Sequence, residues 1–172
     1  MNFAVKLDMH SLLIGTSGDV SFQYSFKGNM AVQLGLFYGP TPDTYWWSQG
    51  SIFSLTPEFR FYLSEAKSAP TGWYFAPYLR FKSTDKKEKF EWVGPTGPEH
   101  ILNSIKTIGY GGGFVMGYQY VHRTGITIDG TLGGGRIGGY IEGTNDNNSL
   151  KYRQNQPFQG EMRLNLCVGY SF

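Results

Sequence analysis

The sequence lacks the features that mark helical membrane proteins and cysteine-based sites. Cys167 is the single cysteine, which excludes an internal disulfide framework and any paired-cysteine metal or redox site. No stretch approaches the roughly 18 consecutive apolar residues that a transmembrane helix requires, and the mean hydropathy is −0.31. Helical membrane spans are therefore excluded.

Charge is also scarce. Charged residues make up 16% of the 172 residues, below the roughly 25% of a typical soluble domain. The formal net charge of +2 is too small to indicate a nucleic-acid partner. One local cluster comprises Lys82, Lys86, Lys87 and Lys89. We interpret it as a solvated loop, with contact to anionic lipopolysaccharide or to a partner as the alternative.

Glycine, with 24 residues, and aromatic residues, at 17%, are abundant instead. This mixture favours strands over helices. Because no change in composition marks a boundary, we interpret residues 1–172 as a single domain. Residues 1–6 lack the basic segment, apolar core and cleavage site of a signal peptide, so an exported chain is expected here in mature or recombinant form.

Apolar and polar residues alternate along most of the chain, as in strands with one polar and one apolar face. The first apolar residues of the alternating runs are Phe3, Val20, Met30, Phe53, Trp73, Ile108, Ile126 and Met162. The first run is predicted to continue through Met9 and His10. Most runs approach the roughly 9–11 residues with which a tilted strand crosses a bilayer.

The connections between these runs alternate between long and short. The odd-numbered connections are 15–18, 39–51, 83–103 and 139–160, and the even-numbered ones are 27–29, 64–72 and 121–125. Outer-membrane barrels have short periplasmic turns and long external loops. The pattern predicts an all-β fold, an eight-stranded antiparallel up-and-down transmembrane β-barrel with both termini in the periplasm.

Three features indicate that the apolar face points to lipid rather than into a soluble barrel. The polar face carries Gly, Ser, Thr, Gln and Tyr with few charges, which is typical of an interior. Aromatic residues gather near the predicted strand ends, the zone that amphipathic rings favour. The last run closes on Val168, Tyr170 and Phe172, which resembles the C-terminal signal that the barrel-assembly machinery reads. That machinery, outer-membrane lipid and lipopolysaccharide are therefore expected partners.

Three segments resemble a family of uncharacterised small outer-membrane proteins of Bacteroidetes-type bacteria. They are SLTPEFRFYL at 54–63, APYLRF at 76–81 and GYQY at 117–120. In architecture the chain is similar to the OmpA/OmpX-type eight-stranded barrels. The resemblance covers nearly the whole chain and implies the fold and a bacterial outer-membrane location, but it implies no activity.

Pro57 and Pro77 fall inside two of the predicted strands. A proline cannot donate to the strand ladder, and a closed barrel has no edge on which to place it. The two prolines lie at nearly equal distances from the 64–72 connection. We therefore predict a local bulge or widened pairing between these strands.

The predicted lumen contains nearly balanced charges. They are Lys6, Asp8, Glu58, Arg60, Arg80, Lys82, Asp129, Glu161 and Arg163. Eight strands enclose only enough space for side chains to fill, and buried charges need partners. We predict an internal salt-bridge network that plugs the barrel, with a gated ion or proton path as the alternative.

No group of residues predicts catalysis or cofactor binding. His10, His100 and His122 fall in a strand, an external loop and a periplasmic turn, so they are not expected to converge on a nucleophile. Glu99 beside His100 has no further metal ligands near it, and the glycine-rich segment 133–139 opens no helix that would bind a nucleotide. We therefore predict a protein that is not an enzyme and has no cofactor or metal.

The leading hypothesis is a structural or accessory subunit that binds another envelope component, such as an outer-membrane protein, through external loops or its lipid-facing wall. The predicted contacts are Tyr45, Trp46, Trp47 and Trp92, of which the first three have a membrane-interface role as the alternative. Other hypotheses are a small-solute or ion-conducting barrel, a lipid A-modifying enzyme and a soluble lipocalin-like barrel.

Overall fold

The fold is a closed antiparallel barrel. The computed structural model describes residues 2–14, 17–26, 29–41, 48–63, 71–94, 97–145 and 151–172. The elements are β1 (Phe3–Asp8), α1 (Met9–Ile14), β2 (Gly18–Ser25), β3 (Met30–Pro40), β4 (Ser48–Tyr62), β5 (Gly72–Gly94), β6 (Gly97–Val121), β7 (Ile126–Asn145) and β8 (Lys151–Ser171). Each strand pairs with the next, and β1 pairs with β8. The predicted all-β fold of eight antiparallel strands in a ring is confirmed.

Strand alternation sorts the side chains into an apolar exterior and a polar interior. In β1 the side chains of Lys6 and Asp8 are buried, whereas those of Phe3 and Leu7 are exposed. The same division holds around the ring, where large exposed apolar residues include Phe75, Phe114, Leu132 and Leu164. A soluble barrel places such residues inside, so this distribution is inverted. In the described part of the chain, no helix is long and apolar enough to cross a membrane.

The barrel wall is low on one side and tall on the other. β1 and β2 have 6 and 8 residues, whereas β5 and β6 have 23 and 25. The tall strands are more than twice the length that a tilted strand needs to cross a bilayer. Pairing of β5 with β6 continues from Gly72↔Gln119 to Gly94↔Gly97. The strands β5 to β8 therefore project beyond the ends of β1 and β2.

This projection corrects two predicted loops. The connections 83–103 and 139–160 were expected to be long loops, but all of their described residues are in strands. In this part of β5 both faces are polar, because Lys82 and Thr84 point inward while Asp85 and Lys87 are exposed. Alternation of apolar and polar residues, on which the strand predictions rested, is absent there.

The prediction that β1 continues through Met9 and His10 is wrong. Both residues belong to α1, which follows β1 directly. Asp8 ends the strand, and its Oδ1 accepts a hydrogen bond from the backbone N–H of Ser11 at 3.3 Å. This is the geometry of a helix N-cap. The chain therefore turns into a short helix at the low rim of the barrel.

Pro57 and Pro77 interrupt the ladder between β4 and β5 without shifting its register. The retained register pairs Leu55 with Phe81, Glu58 with Tyr78 and Phe61 with Phe75. The described ladder lacks the pairs at positions 56, 57, 59 and 60. In an antiparallel ladder each of these missing pairs requires the N–H of residue 57 or 77, which proline does not have. The retained register contains no bulge, so that alternative is wrong, and the missing pairs agree with the other alternative, a widened pairing.

Two glycines make room for tyrosine rings inside the barrel. A Cβ added to Gly117 would collide with the Tyr74 hydroxyl, and one added to Gly135 would lie 2.7 Å from the Tyr78 hydroxyl oxygen. Glycine is the residue that allows another group to approach a strand backbone this closely. Small residues on β6 and β7 therefore accommodate large ones on β5.

Candidate functional site

The lumen contains a buried ion-pair cluster, which we call the plug: Lys6, Glu58, Arg60, Asp129 and Arg163. Asp129 Oδ2 accepts hydrogen bonds from Lys6 Nζ and Arg60 Nη1, both at 2.6 Å. Glu58 lies 2.9 Å from Arg60 Nη2 and 3.0 Å from Arg163 Nη2. These residues come from β1, β4, β7 and β8, so the plug joins strands across the lumen.

Neutral side chains add hydrogen bonds to the plug. Lys6 Nζ also donates to Gln23 Oε1 at 2.7 Å, and Tyr74 Oη donates to Asp129 Oδ1 at 2.7 Å. The guanidinium of Arg60 lies 4.3 Å from the centre of the Tyr74 ring. Gln119 Oε1 accepts from Lys6 Nζ and from Arg60 Nη1, both at 3.2 Å. Neither Gln23 nor Gln119 was predicted to belong to this site. Both occupy the polar face of their strands, and that position is the signal that could have identified them.

Burial makes the pairing within the plug mandatory. The side chains of Lys6, Arg60 and Asp129 are at most 1% exposed. An isolated buried charge costs far more free energy than a paired one, and loss of one partner typically costs about 3–5 kcal/mol. The plug therefore fills this level of the lumen with side chains that hold one another in place, as expected for an eight-stranded barrel.

A second ion pair lies nearer to the tall rim. Arg80 Nη1 donates to Glu161 Oε1 at 2.7 Å, and Arg80 Nε donates to Ser54 Oγ at 3.0 Å. These two charged side chains are 21% and 20% exposed, so water screens them more than the plug. A polar cavity of about 60 Å³, which Arg80 and Arg163 both line, lies between this pair and the plug.

The two remaining predicted lumen charges, Asp8 and Lys82, belong neither to the plug nor to the Arg80–Glu161 pair. Asp8 is buried beside α1, where its Oδ2 is 3.8 Å from Cys167 Sγ. Lys82 lines a larger cavity of about 330 Å³ inside the tall part of the wall, which we call the vestibule. The vestibule is also lined by Thr41, Thr84, Lys86, Thr107 and Gln159.

The predicted partner-contact residues are only partly described. Tyr45, Trp46 and Trp47 lie outside the described residues. Trp92 lies in β5, opposite Glu99 of β6, rather than in a loop. His100 pairs with Glu91 in the same ladder. Within the described ranges, no group of three or more His, Cys, Asp or Glu residues is arranged to hold a metal ion.

The outer wall is apolar, with aromatic residues near the end where the chain termini lie. Trp73 and Tyr118 contact each other edge to face, with ring centroids 5.4 Å apart. Val168, Tyr170 and Phe172, the predicted assembly signal, are exposed on this wall. An open apolar groove of about 660 Å³ crosses the wall at the proline-interrupted ladder, with Pro57, Phe59, Pro77 and Leu79 among its lining residues.

Comparison with solved structures finds the same fold in a major outer membrane protein from Thermus thermophilus. The TM-score is 0.60 and the sequence identity is 16%, and the match covers 99% of this chain and 98% of that chain. Similarity at this identity shows the fold alone. The chain matches no protein-family model and no curated protein sequence.

Proposed function

We propose that the protein is a non-enzymatic barrel of the bacterial outer membrane whose projecting strands bind another envelope component. The observation that carries the proposal is the division of the molecule into two parts. One is an apolar wall around an ion-paired plug, and the other is a sheet that extends past that wall. Because the plug fills the lumen, the projecting sheet and the outer wall are the surfaces through which we propose that the protein binds.

The apolar wall supports a membrane location. In β5 the outward side chains of Trp73, Phe75, Leu79 and Phe81 are all exposed. The next alternate positions, Ser83, Asp85 and Lys87, are polar. The distance from Trp73 to Phe81 is close to the roughly 9–11 residues of a bilayer-crossing strand. We therefore propose that the termini and the short turns lie in the periplasm and that the projection lies outside the cell.

The outermost part of the projection is a two-stranded ribbon, 89–94 paired with 97–102. In the described chain, β4 pairs with β5 only as far as Glu88, and β7 pairs with β6 only from Asn103. Both edges of the ribbon therefore lack a neighbouring strand among the described residues. Unpaired edges are ready templates for an additional strand from another chain, so the ribbon is the proposed contact surface.

A mild-detergent pull-down of the tagged protein from native outer membrane tests the proposal. The matched variant replaces residues 89–102 with a two-residue turn and leaves the barrel below it intact. We expect a stoichiometric companion to co-purify with the original protein and not with the shortened variant. Heat-modifiable mobility on gels should show that both forms are folded. Recovery of the original barrel alone would contradict the proposal, as would a companion that both forms retain.

A further inference from the structure

The vestibule lies inside the tall part of the wall, above the Arg80–Glu161 pair. Its lining residues are Thr41, which directly follows β3, and residues of β4, β5, β6, β7 and β8. They include the inward side chains of Lys82, Thr84 and Lys86 on a single strand. Its volume of about 330 Å³ is at the lower end of the roughly 300–1,000 Å³ of small-molecule sites. The vestibule is thus large enough for a small solute or for one functional group of a larger molecule.

The charge that lines the vestibule is positive. Lys82 and Lys86 line it, and its lining includes no carboxylate. Neither ammonium group forms a salt bridge with any described residue, and the nearby Glu161 is already paired with Arg80. The two lysines are four positions apart on one strand face, roughly 13 Å between Cα atoms. Lysine side chains are long enough for both ammonium groups to reach a group held between them, over Thr84.

A buried hydroxyl lies beside the vestibule, on one of its lining residues. Thr41 is 4% exposed, and its Oγ1 has no hydrogen-bond partner within the described structure. A buried polar atom without a partner costs free energy and calls for a specific explanation. The hydroxyls of Thr84 and Thr107 and the amide of Gln159 line the same cavity. The vestibule thus combines two cations with several neutral hydrogen-bonding groups.

We propose that the vestibule binds a phosphate group. A phosphate monoester carries about −1.5 to −2 charges near neutral pH and offers three strong acceptor oxygens, which matches two ammonium groups and the hydroxyls beside them. A single carboxylate would balance only one of the lysines. The phosphate comes either from a soluble phosphate or phosphorylated solute or from the headgroup of lipid A. This inference does not depend on the partner proposed above.

Binding to the detergent-purified full chain tests this inference by calorimetry at constant ionic strength. The probes are inorganic phosphate, glucose 6-phosphate and micellar lipid A, with glucose and dephosphorylated lipid A as controls. The variants are Lys82→Gln, Lys86→Gln and Thr41→Val. Lys87→Gln is the matched control, because it removes the same charge from an exposed neighbouring side chain on the opposite face of β5.

We expect phosphate-dependent binding that weakens roughly ten-fold or more in each vestibule lysine variant, since hydrogen bonds to charged groups contribute strongly. Thr41→Val is expected to weaken it by about three-fold or more, and Lys87→Gln by less than about two-fold. Binding of the soluble phosphates identifies a soluble source, and binding of lipid A alone with the same lysine dependence identifies a headgroup. Absence of phosphate-dependent binding, or equal losses with Lys87→Gln and Lys86→Gln, would overturn the inference.

Discussion

The plug and the vestibule are built from the same kind of inward strand positions, yet they treat charge in opposite ways. In the plug, Asp129 and Glu58 each contact two cations at 2.6–3.0 Å, and the side chains are almost completely buried. In the vestibule, Lys82 and Lys86 line an open cavity with no carboxylate in its lining. One level of the lumen is closed by ion pairs, and the other offers unpaired cations.

The surroundings of the two regions explain this difference. Within a bilayer, polar groups must be satisfied inside the protein, because no water is at hand to replace a missing partner. Above the apolar wall, water solvates a lysine without a carboxylate beside it. Depth along a strand, more than residue type, therefore decides whether an inward charge must be paired.

Removal of Asp129 is expected to have the largest effect. Asp129→Leu leaves the ammonium of Lys6 and the guanidinium of Arg60 without their shared carboxylate, so the free energy of unfolding should fall by about 3–5 kcal/mol. Urea unfolding of the barrel in lipid vesicles measures it. The comparison variant, Lys86→Gln in the vestibule, should change it by less than about 0.5 kcal/mol. Similar losses of unfolding free energy in the two variants would contradict the difference between the plug and the vestibule.

Loss of the Arg80–Glu161 ion pair, which lies between the plug and the vestibule, should lower the free energy of unfolding by an intermediate amount. Arg80 and Glu161 are about one-fifth exposed, so Glu161→Gln is expected to lower the unfolding free energy by about 1 kcal/mol or less. The same vesicle assay places this variant between Asp129→Leu and Lys86→Gln. A loss of unfolding free energy as large as that of Asp129→Leu would show that depth in the lumen does not determine the cost of breaking an ion pair.

Replacement of a proline in the interrupted ladder between β4 and β5 should change the free energy of unfolding least. Pro57→Ala supplies the missing backbone N–H opposite Leu79, and a net hydrogen bond is worth about 0.5–1.5 kcal/mol. Part of that gain is offset because alanine gives the unfolded chain more freedom than proline. Hydrogen exchange is expected to show a protected amide at position 57. A rapidly exchanging amide there would mean that the proline does not cause the interruption.

The membrane-facing part of this structure was accessible from the sequence because lipid imposes a strict rule. Phe75 and Leu79 must be apolar where they face outward, so alternation predicts the strand. Above Phe81 the rule ends, and Ser83, Asp85 and Lys87 look like a loop although they continue β5. A helix cap at Asp8 was likewise hidden within an alternating run.

The sequence identified inward charges but not their partners. Position on a strand face indicates that Lys6 and Asp129 point inward, but they are far apart in the chain and meet only when β8 closes against β1. The vestibule depends in addition on Thr41 and on the height of β5 to β8. Neither follows from alternation, because the projection has polar residues on both faces.

Single-channel recording in planar bilayers tests the central claim, that the plug closes the lumen, most directly. The purified barrel would be inserted in about 1 M KCl, with a porin as the positive control for insertion and detection. We expect a quiet baseline over the range of voltages that the bilayer tolerates. Reproducible unitary current steps that scale with salt concentration would contradict it, because ions would then be crossing the level of Lys6, Arg60 and Asp129.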